Sequence, residues 1–409
     1  MKKFSTALFV ALALAGNLFP ESAYWPCFNG PKQDNISAEK GLLKSWPKKG
    51  PSLLWKFENA GLGYGIVAIA NDTIYIAGDI GEDCKLTALD MEGKVKWQAA
   101  AGGAWNGEYS GQSATPAYDD GMVYFMNGNS ELTALDALTG QAKWSAMVSI
   151  KYGGRRGYYG YAESLIVDGN NLLCLPGGSK NLLVALNKKT GKKVWSTPNF
   201  IGDTASYTSS GVRMHNGVRQ IMTIAQTAIF GVNAETGEML WFSIFKDPHN
   251  VDACTPVYYE GYVFFSRGYG IGSYALKLDE NGKGASVAWH SKALDNHHGG
   301  VVGLDGFVYG SGDLYSGWYC LDIKTGKIMW NERGVGKGSV TYADGMLYAF
   351  SEKGKVGLLE TRSDKFNMVS SFMIPKESKD LLCGHPVVAG GRLYLREGKN
   401  LLVYDIKAK

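Results

Sequence analysis

The chain has 409 residues, 45% of them hydrophobic, with a formal charge of +4 that includes Lys2 and Lys3. The remainder carries no block of basic residues able to track a phosphate backbone, which argues against a nucleic-acid partner. Beyond the amino terminus no stretch approaches the ~20 apolar residues of a membrane helix, so no transmembrane segment is expected.

Lys2 and Lys3 precede FSTALFVALALAG (4–16), an apolar run too short to span a bilayer and ordered like a secretory signal. Residues 1–23 are therefore read as a signal peptide and the protein as exported, periplasmic or extracellular. Ala13 and Ala15 allow cleavage after Ala15; Ser22-Ala23 is a weaker site because Glu21 stands just upstream. Cys27 follows Tyr24-Trp25-Pro26 rather than small residues, so no lipid anchor is expected. Residues 24–49, rich in Pro, Gly and Lys, read as an arm lying over the domain that follows. Six cysteines lie 57 or more residues apart with no C-x-x-C, which leaves redox-motif and zinc-ribbon chemistry without support. Their pairing stays open; Cys174 and Cys320 fall in apolar strand patterns, as buried thiols do.

From residue 50 onward one phrase recurs. LTALDALTGQAKW (132–144) has relatives at 86–97, 183–195, 230–241 and 319–330. In LTALD, Leu132, Ala134 and Asp136 share one face and Thr133 and Leu135 the other, so apolar groups point both ways, as in a strand covered on both sides. The following residues form a hairpin turn in which Asp136 bonds back to turn amides and Gly140 supplies positive φ. The next strand ends on Trp144, whose ring suits the wedge between adjacent sheets.

A second marker precedes each copy: Asp-Gly, one residue, then an apolar-aromatic pair, as in DGMVY at 120 and DGFVY at 305. Eight markers pair with eight strands ending at Asp90, Asp136, Asn187, Asn233, Asp279, Asp322, Glu360 and Asp405, so each unit is two hairpins. The tryptophans at 97, 144, 195, 241, 289 and 330 recur at about 40 to 50 residues. Together these predict an all-β fold: an eight-bladed β-propeller of four-stranded antiparallel blades over 50–409. The seventh copy lacks the glycine turn and the tryptophan. The eighth, LLVYDIKAK, stops before its last strand, which PSLLWKF (51–57) supplies with Trp55, so the N-terminal strand is expected to complete the C-terminal blade and close the ring.

The A-L-D-x-x-T-G-x-x-x-W phrase resembles the pyrrolo-quinoline quinone (PQQ) repeat. The whole chain resembles secreted PQQ-binding-like β-propeller repeat proteins, through WPCFNGP (25–31), YAESLIVDG (161–169), LPGG (175–178), NHHGGVV (296–302) and GHPVVAGGRLYLR (384–396) as well. This family is related to quinoprotein dehydrogenases and to BamB-like propellers, and its fold does not choose between catalysis and scaffolding. The adjacent cysteine pair of the methanol-oxidising dehydrogenases is missing, as is any D-x-D-x-D calcium loop.

In a propeller the strand before each marker is innermost, and its leading end opens on the central channel. The residues there are Tyr64, Gln112, Tyr161, Glu163, Tyr207, Asp252, His297, His298, Lys337 and His385. They form either a polar funnel for a small ligand or a wet lining that serves only the fold. Of His297 and His298 at most one is expected to face the channel, because neighbours on a strand alternate, and no ligand spacing marks a metal site. KYGGRRGYYGY (151–161) adds Arg155 and Arg156 among four tyrosines, arginine and aromatic rings that together suit a planar acid, or else forms a solvated loop with its tyrosines packed on its neighbour. The favoured expectation is a binding or scaffolding module with a protein or cell-envelope partner. The resemblance supplies the alternative, a PQQ-dependent oxidoreductase acting on an alcohol or sugar with calcium as co-cofactor. There Arg155 or Arg156 would orient the cofactor, Lys337 contact its ortho-quinone, and Asp252 or Glu163 act as base.

Overall fold

The computed structural model describes residues 23–409 except 247, 315 and 316; the expected signal segment, but for residue 23, lies outside them. Among the described residues the strands form eight sheets, seven of four antiparallel strands and one in which a fifth strand joins the four. In chain order the blades cover 68–103, 117–147, 166–198, 211–244, 257–291, 301–332 and 338–373, and 387–405 supplies three strands of the eighth. Ser52–Phe57 is the fourth strand of blade 8, antiparallel to Asn400–Asp405 with Trp55 opposite Val403. The expected closure is thus the observed one.

The recurring phrase is explained by what lies between blades. Leu132 and Ala134 join a cluster with blade 3, while Leu135 on the opposite face joins one with blade 1. No blade has a core of its own; each cluster is built from neighbouring blades. The turn after LTALD is locked as expected: Asp136 Oδ1 accepts from the Thr139 N–H (3.0 Å) and hydroxyl (2.9 Å). Across the junction the Trp97 indole N–H donates to the Ala137 carbonyl (3.0 Å). Trp144 bonds Lys188, Trp289 bonds Ile323 and Trp55 bonds Met91 in the same way. Each acceptor is the first residue of the next blade's turn. The turn glycine then lies on the ring face: a Cβ on Gly140, at φ +72°, would stand 2.7 Å from Trp97.

Blade 7 lacks the turn glycine and its own tryptophan, although its turn still accepts the Trp330 indole N–H of blade 6 at the Arg362 carbonyl (2.7 Å). Ser370 occupies the register position of the tryptophans, and its hydroxyl accepts the Trp46 backbone N–H (3.1 Å). The Trp46 ring is borrowed from the N-terminal segment to fill the junction between blades 7 and 8, edge-on to Phe372 at 5.4 Å and beside Tyr348.

The rest of that segment does not lie over the ring, as the composition suggested, but enters its trailing end, where the marker turns sit. Trp25, fully buried, exchanges backbone hydrogen bonds with Ile69 on the innermost strand of blade 1. The Tyr118 N–H of blade 2 bonds the Pro26 carbonyl, Arg213 of blade 4 bonds the Lys32 and Gln33 carbonyls, and Asn29 bonds Thr255 beside blade 5. Ile36–Ser37 then adds a fifth, parallel strand to the inner edge of blade 7, against Tyr342 and Ala343. Backbone groups left unpaired on the inner edges need partners, and this segment provides them. One helix, Val148–Tyr152, was not expected; it closes with Gly153 in the left-handed region and carries the chain into the 151–161 loop.

Two outcomes are expected in thermal unfolding. Gly140→Ala should lower the midpoint well beyond Gly121→Ala, since both pay ~1–2 kcal/mol for positive φ but only the former also strikes a ring, for a further ~1–3 kcal/mol. Trp46→Ala should cost about 3–5 kcal/mol, as truncation of a buried tryptophan does, although it lies outside every repeat.

Candidate functional site

The marker hairpin folds the second strand of each blade back along the first. The start of the innermost strand and the end of the second therefore meet at one end of the channel, and residues from both build its mouth.

Blades 1 to 4 contribute tyrosines. Tyr109 lies 6.5 Å from Tyr64 and 5.6 Å from Tyr159 between ring centroids, and Tyr159 lies 5.5 Å from Tyr207. Tyr159 is delivered by the 151–161 loop, its backbone N–H bonded to the Tyr207 hydroxyl at 3.2 Å. Its own hydroxyl reaches Tyr269 of blade 5. Tyr269 in turn packs at 4.7 Å on His297, which joins the aromatic arc to a polar one.

Blades 6 to 8 supply that polar arc. Lys337 is held by Asp313 (2.8 Å) and Glu352 (3.0 Å), with its ammonium 3.4 Å from His297 Nδ1. Glu352 also takes His298 Nε2 at 2.7 Å, and the same nitrogen lies 3.8 Å from Cys383 Sγ. Burial, reinforced by the charges of His298 and Lys337, holds His297 well below the usual imidazole range, so it is neutral. For His298 burial works the other way from its partners, and Cys383 and Glu352 prevail, pushing it up to about 9. Glu352 is lowered in spite of burial by His298 and Lys337. Burial pushes the Tyr64 hydroxyl up, with Asp380 and then Cys383 adding to it, and the circle of side chains closes at this approach of Cys383 to Tyr64. His385 forms the floor: buried, its Nε2 bonded to the His298 carbonyl (3.1 Å) and its ring 4.6 Å from Phe28 of the N-terminal segment.

Of the residues expected at the mouth, Tyr64, Tyr207, His297, His298 and Lys337 converge there, with His385 beneath. Both histidines join one cluster, their rings 5.2 Å apart, contrary to the alternation argument. They precede the strand Val301–Leu304, so strand alternation does not govern them. Asp252, Gln112, Tyr161 and Glu163 are engaged in the frame, whereas Arg155 and Arg156 are exposed. Asp252 is in a bidentate pair with Arg267, both contacts 2.7 Å and both side chains buried. Gln112 bridges Asp79 and the Gly128 N–H, and the Tyr161 hydroxyl donates to the Pro176 carbonyl. Glu163 accepts the Leu175 N–H at 2.7 Å in full burial, which pushes its carboxyl up to about 8. Arg156 lies over the Trp105 ring at 4.9 Å, and Arg155 is exposed. Tyr109, Tyr159, Tyr269, Asp313, Glu352 and Cys383 were not singled out from the sequence. Tyr269, Asp313 and Glu352 follow second strands, at the same end that the residues before the markers occupy. All six cysteines are free thiols, and Cys383 alone among them is not buried. Among the described residues no helix is long and apolar enough to cross a membrane.

Known proteins resemble this architecture. A tetrathionate hydrolase from Acidithiobacillus ferrooxidans is 24% identical over 64% of this chain and 51% of its own. The dehydrogenase subunit of an Acetobacter aceti quinone alcohol dehydrogenase is 32% identical over 32% of this chain and 19% of its own. The chain thus spans about half the length of the former and a smaller share of the latter. Among solved structures, BamB from Moraxella catarrhalis superposes with a TM-score of 0.59 at 14% identity, covering 88% of this chain and 98% of that one. A europium-containing methanol dehydrogenase gives 0.65 at 12%, covering 92% and 90%. These likenesses establish the shared fold. The profile of the PQQ-repeat family described as outer membrane protein assembly factor BamB matches residues 39–156 and 160–332, more than half of the sequence, and the chain belongs to that family.

Proposed function

We propose that this is an exported propeller with a binding or scaffolding role in the cell envelope, and that a small planar polar ligand docks at the leading-end mouth. The observation that carries the reading is the two-sided rim: tyrosine rings on blades 1 to 4 facing a neutral imidazole, an ammonium and carboxylates on blades 6 to 8. Tyrosines give rigid stacking faces with polar tips, and an uncharged imidazole offers one donor and one acceptor. Export rests on the leader-like order of residues 2–16. A protein or envelope partner would use the variable loops that the rigid ring displays.

PQQ with calcium fits these residues poorly. Calcium takes about 6–8 oxygen ligands, and among the described residues no three His, Cys, Asp or Glu side chains converge to hold a metal. Asp252 is committed to Arg267, Glu163 is fully buried on the Leu175 N–H, and Lys337 already bridges two carboxylates. The oxidoreductase is therefore the second reading, supported by the quinone dehydrogenase relatives.

Titration calorimetry of the mature protein with PQQ, with and without calcium, and with a simple planar acid such as nicotinate separates the two. We expect calcium-independent binding of planar ligands, weakened at least about tenfold (~1.4 kcal/mol) by Tyr159→Ala. Calcium-dependent PQQ binding lost in Lys337→Ala would transfer the assignment to the quinoprotein. No heat with any of them would sink the ligand reading and leave the partner search.

Glu163 yields a pH expectation that also tests its absence from the chemistry. The unfolded chain releases this proton in the ordinary carboxylate range, whereas the folded chain keeps it up to about 8. Stability from this group is complete below that ordinary range and is lost as pH rises toward and through 8. Glu163→Gln should therefore raise the melting temperature relative to the parent by an amount that grows from about pH 5 to pH 8. A constant difference would overturn the account.

A further inference from the structure

Cys383 stands apart from the other five cysteines. It sits in the loop between blades 7 and 8, partly exposed at the rim, while the rest are buried. Its sulfur is 3.8 Å from His298 Nε2, and that nitrogen is fixed by Glu352 at 2.7 Å. Nucleophile, imidazole and orienting carboxylate thus come from three different blades, an arrangement no local motif imposes. His298 Nδ1 is buried with no hydrogen-bond partner, so the ring's second nitrogen is not committed to the fold. Lys337 and Asp313 face the same cluster from blades 7 and 6, His297 and His385 flank it, and Tyr64, with Asp380 near it, lies close to the sulfur.

We propose that Cys383 is a reactive thiol paired with His298, which attacks small disulfides that reach the channel mouth. The thiolate sulfur of Cys383 bonds to one sulfur of R–S–S–R as the original S–S bond breaks. The chain is oxidised to the mixed disulfide Cys383–S–S–R, the reagent is reduced to one RSH, and the leaving thiolate takes its proton from the His298 imidazolium. No other oxidant enters. Since the other five thiols are buried, the adduct persists until an external thiol removes it. The imidazolium, kept charged up to about 9, stabilises the thiolate electrostatically. The inference rests on the reading of the mouth as open to small molecules.

The test is reaction of the native full chain with the anionic dithiobis(nitrobenzoate) and the uncharged dithiodipyridine, followed by thiol release across pH. We expect one equivalent to react, at about pH 6 at least ~10-fold faster than glutathione. Cys383→Ser should remove this equivalent while its remaining thiols still react in denaturant. His298→Gln, checked for an unchanged melting profile, should slow it about tenfold. An inert native chain, a thiol no faster than glutathione, or a His298→Gln variant as fast as the parent would overturn the proposal. A fast thiol that no planar ligand slows would sink the ligand reading alone; calorimetric binding beside an ordinary thiol would sink this one alone.

Discussion

The contact between a tryptophan of one blade and the turn of the next is what the rest of the molecule depends on. At four junctions the ring of Trp55, Trp97, Trp144 or Trp289 lies under the turn, its N–H bonded to the first turn carbonyl, and a Cβ on the turn glycine would strike it. Because this contact joins blades rather than strands of one sheet, a single unit cannot satisfy it, and burial becomes a property of neighbours. That is why the sequence must repeat the same phrase. Where the phrase decays, in blade 7, the junction is repaired from outside the repeat by Trp46.

With the core assigned to the junctions, the leading-end loops are free to carry other chemistry. Two buried arginines hold the frame beneath them. Arg267 fixes Asp252, and Arg396 donates to the Gly61, Gly65, Ala77 and Gly398 carbonyls, stitching blade 8 to blade 1 across the closure. A buried charge that is fully bonded in this way is costly to disturb, so the rim sits on a stiff base.

The fold was legible because period, marker and tryptophan are each local signals that agree in number, and the missing last strand could be counted. The inserted N-terminal segment was not, since its partners are backbone and side-chain groups scattered over most of the blades and its own residues carry no period. The helix Val148–Tyr152 is one turn and a half, too short for a hydrophobic repeat to show. At the mouth, the residues leading each innermost strand could be found from the markers, which gave Tyr64, Tyr207, His297, His298 and Lys337. Sequence position alone did not reveal that Arg267 would claim Asp252, or that Leu175 would draw Glu163 into the interior. The same hairpin logic that located Lys337 would have found Asp313 and Glu352, had it been followed to the far end of the second strand. Cys383 and Tyr159 belong to irregular loops, where no period points.

Residues 25–57 touch nearly every blade before ending as the outer strand of the eighth, with the Leu43 N–H bonded to Ile406 and the Ala60 N–H to Lys399. On the ribosome this stretch is made before the seven blades that follow it, yet its partners on blade 8 are made after them. It therefore has no permanent place until the strands of blade 8 have emerged, and the early blades must persist with an open sheet edge and a hollow centre. Such long-range pairing is slow to form and exposed to misassociation meanwhile. The same stretch that fills the centre of the finished ring is thus a record of when the ring was finished: protection of Trp25 and Trp55 marks the moment of closure.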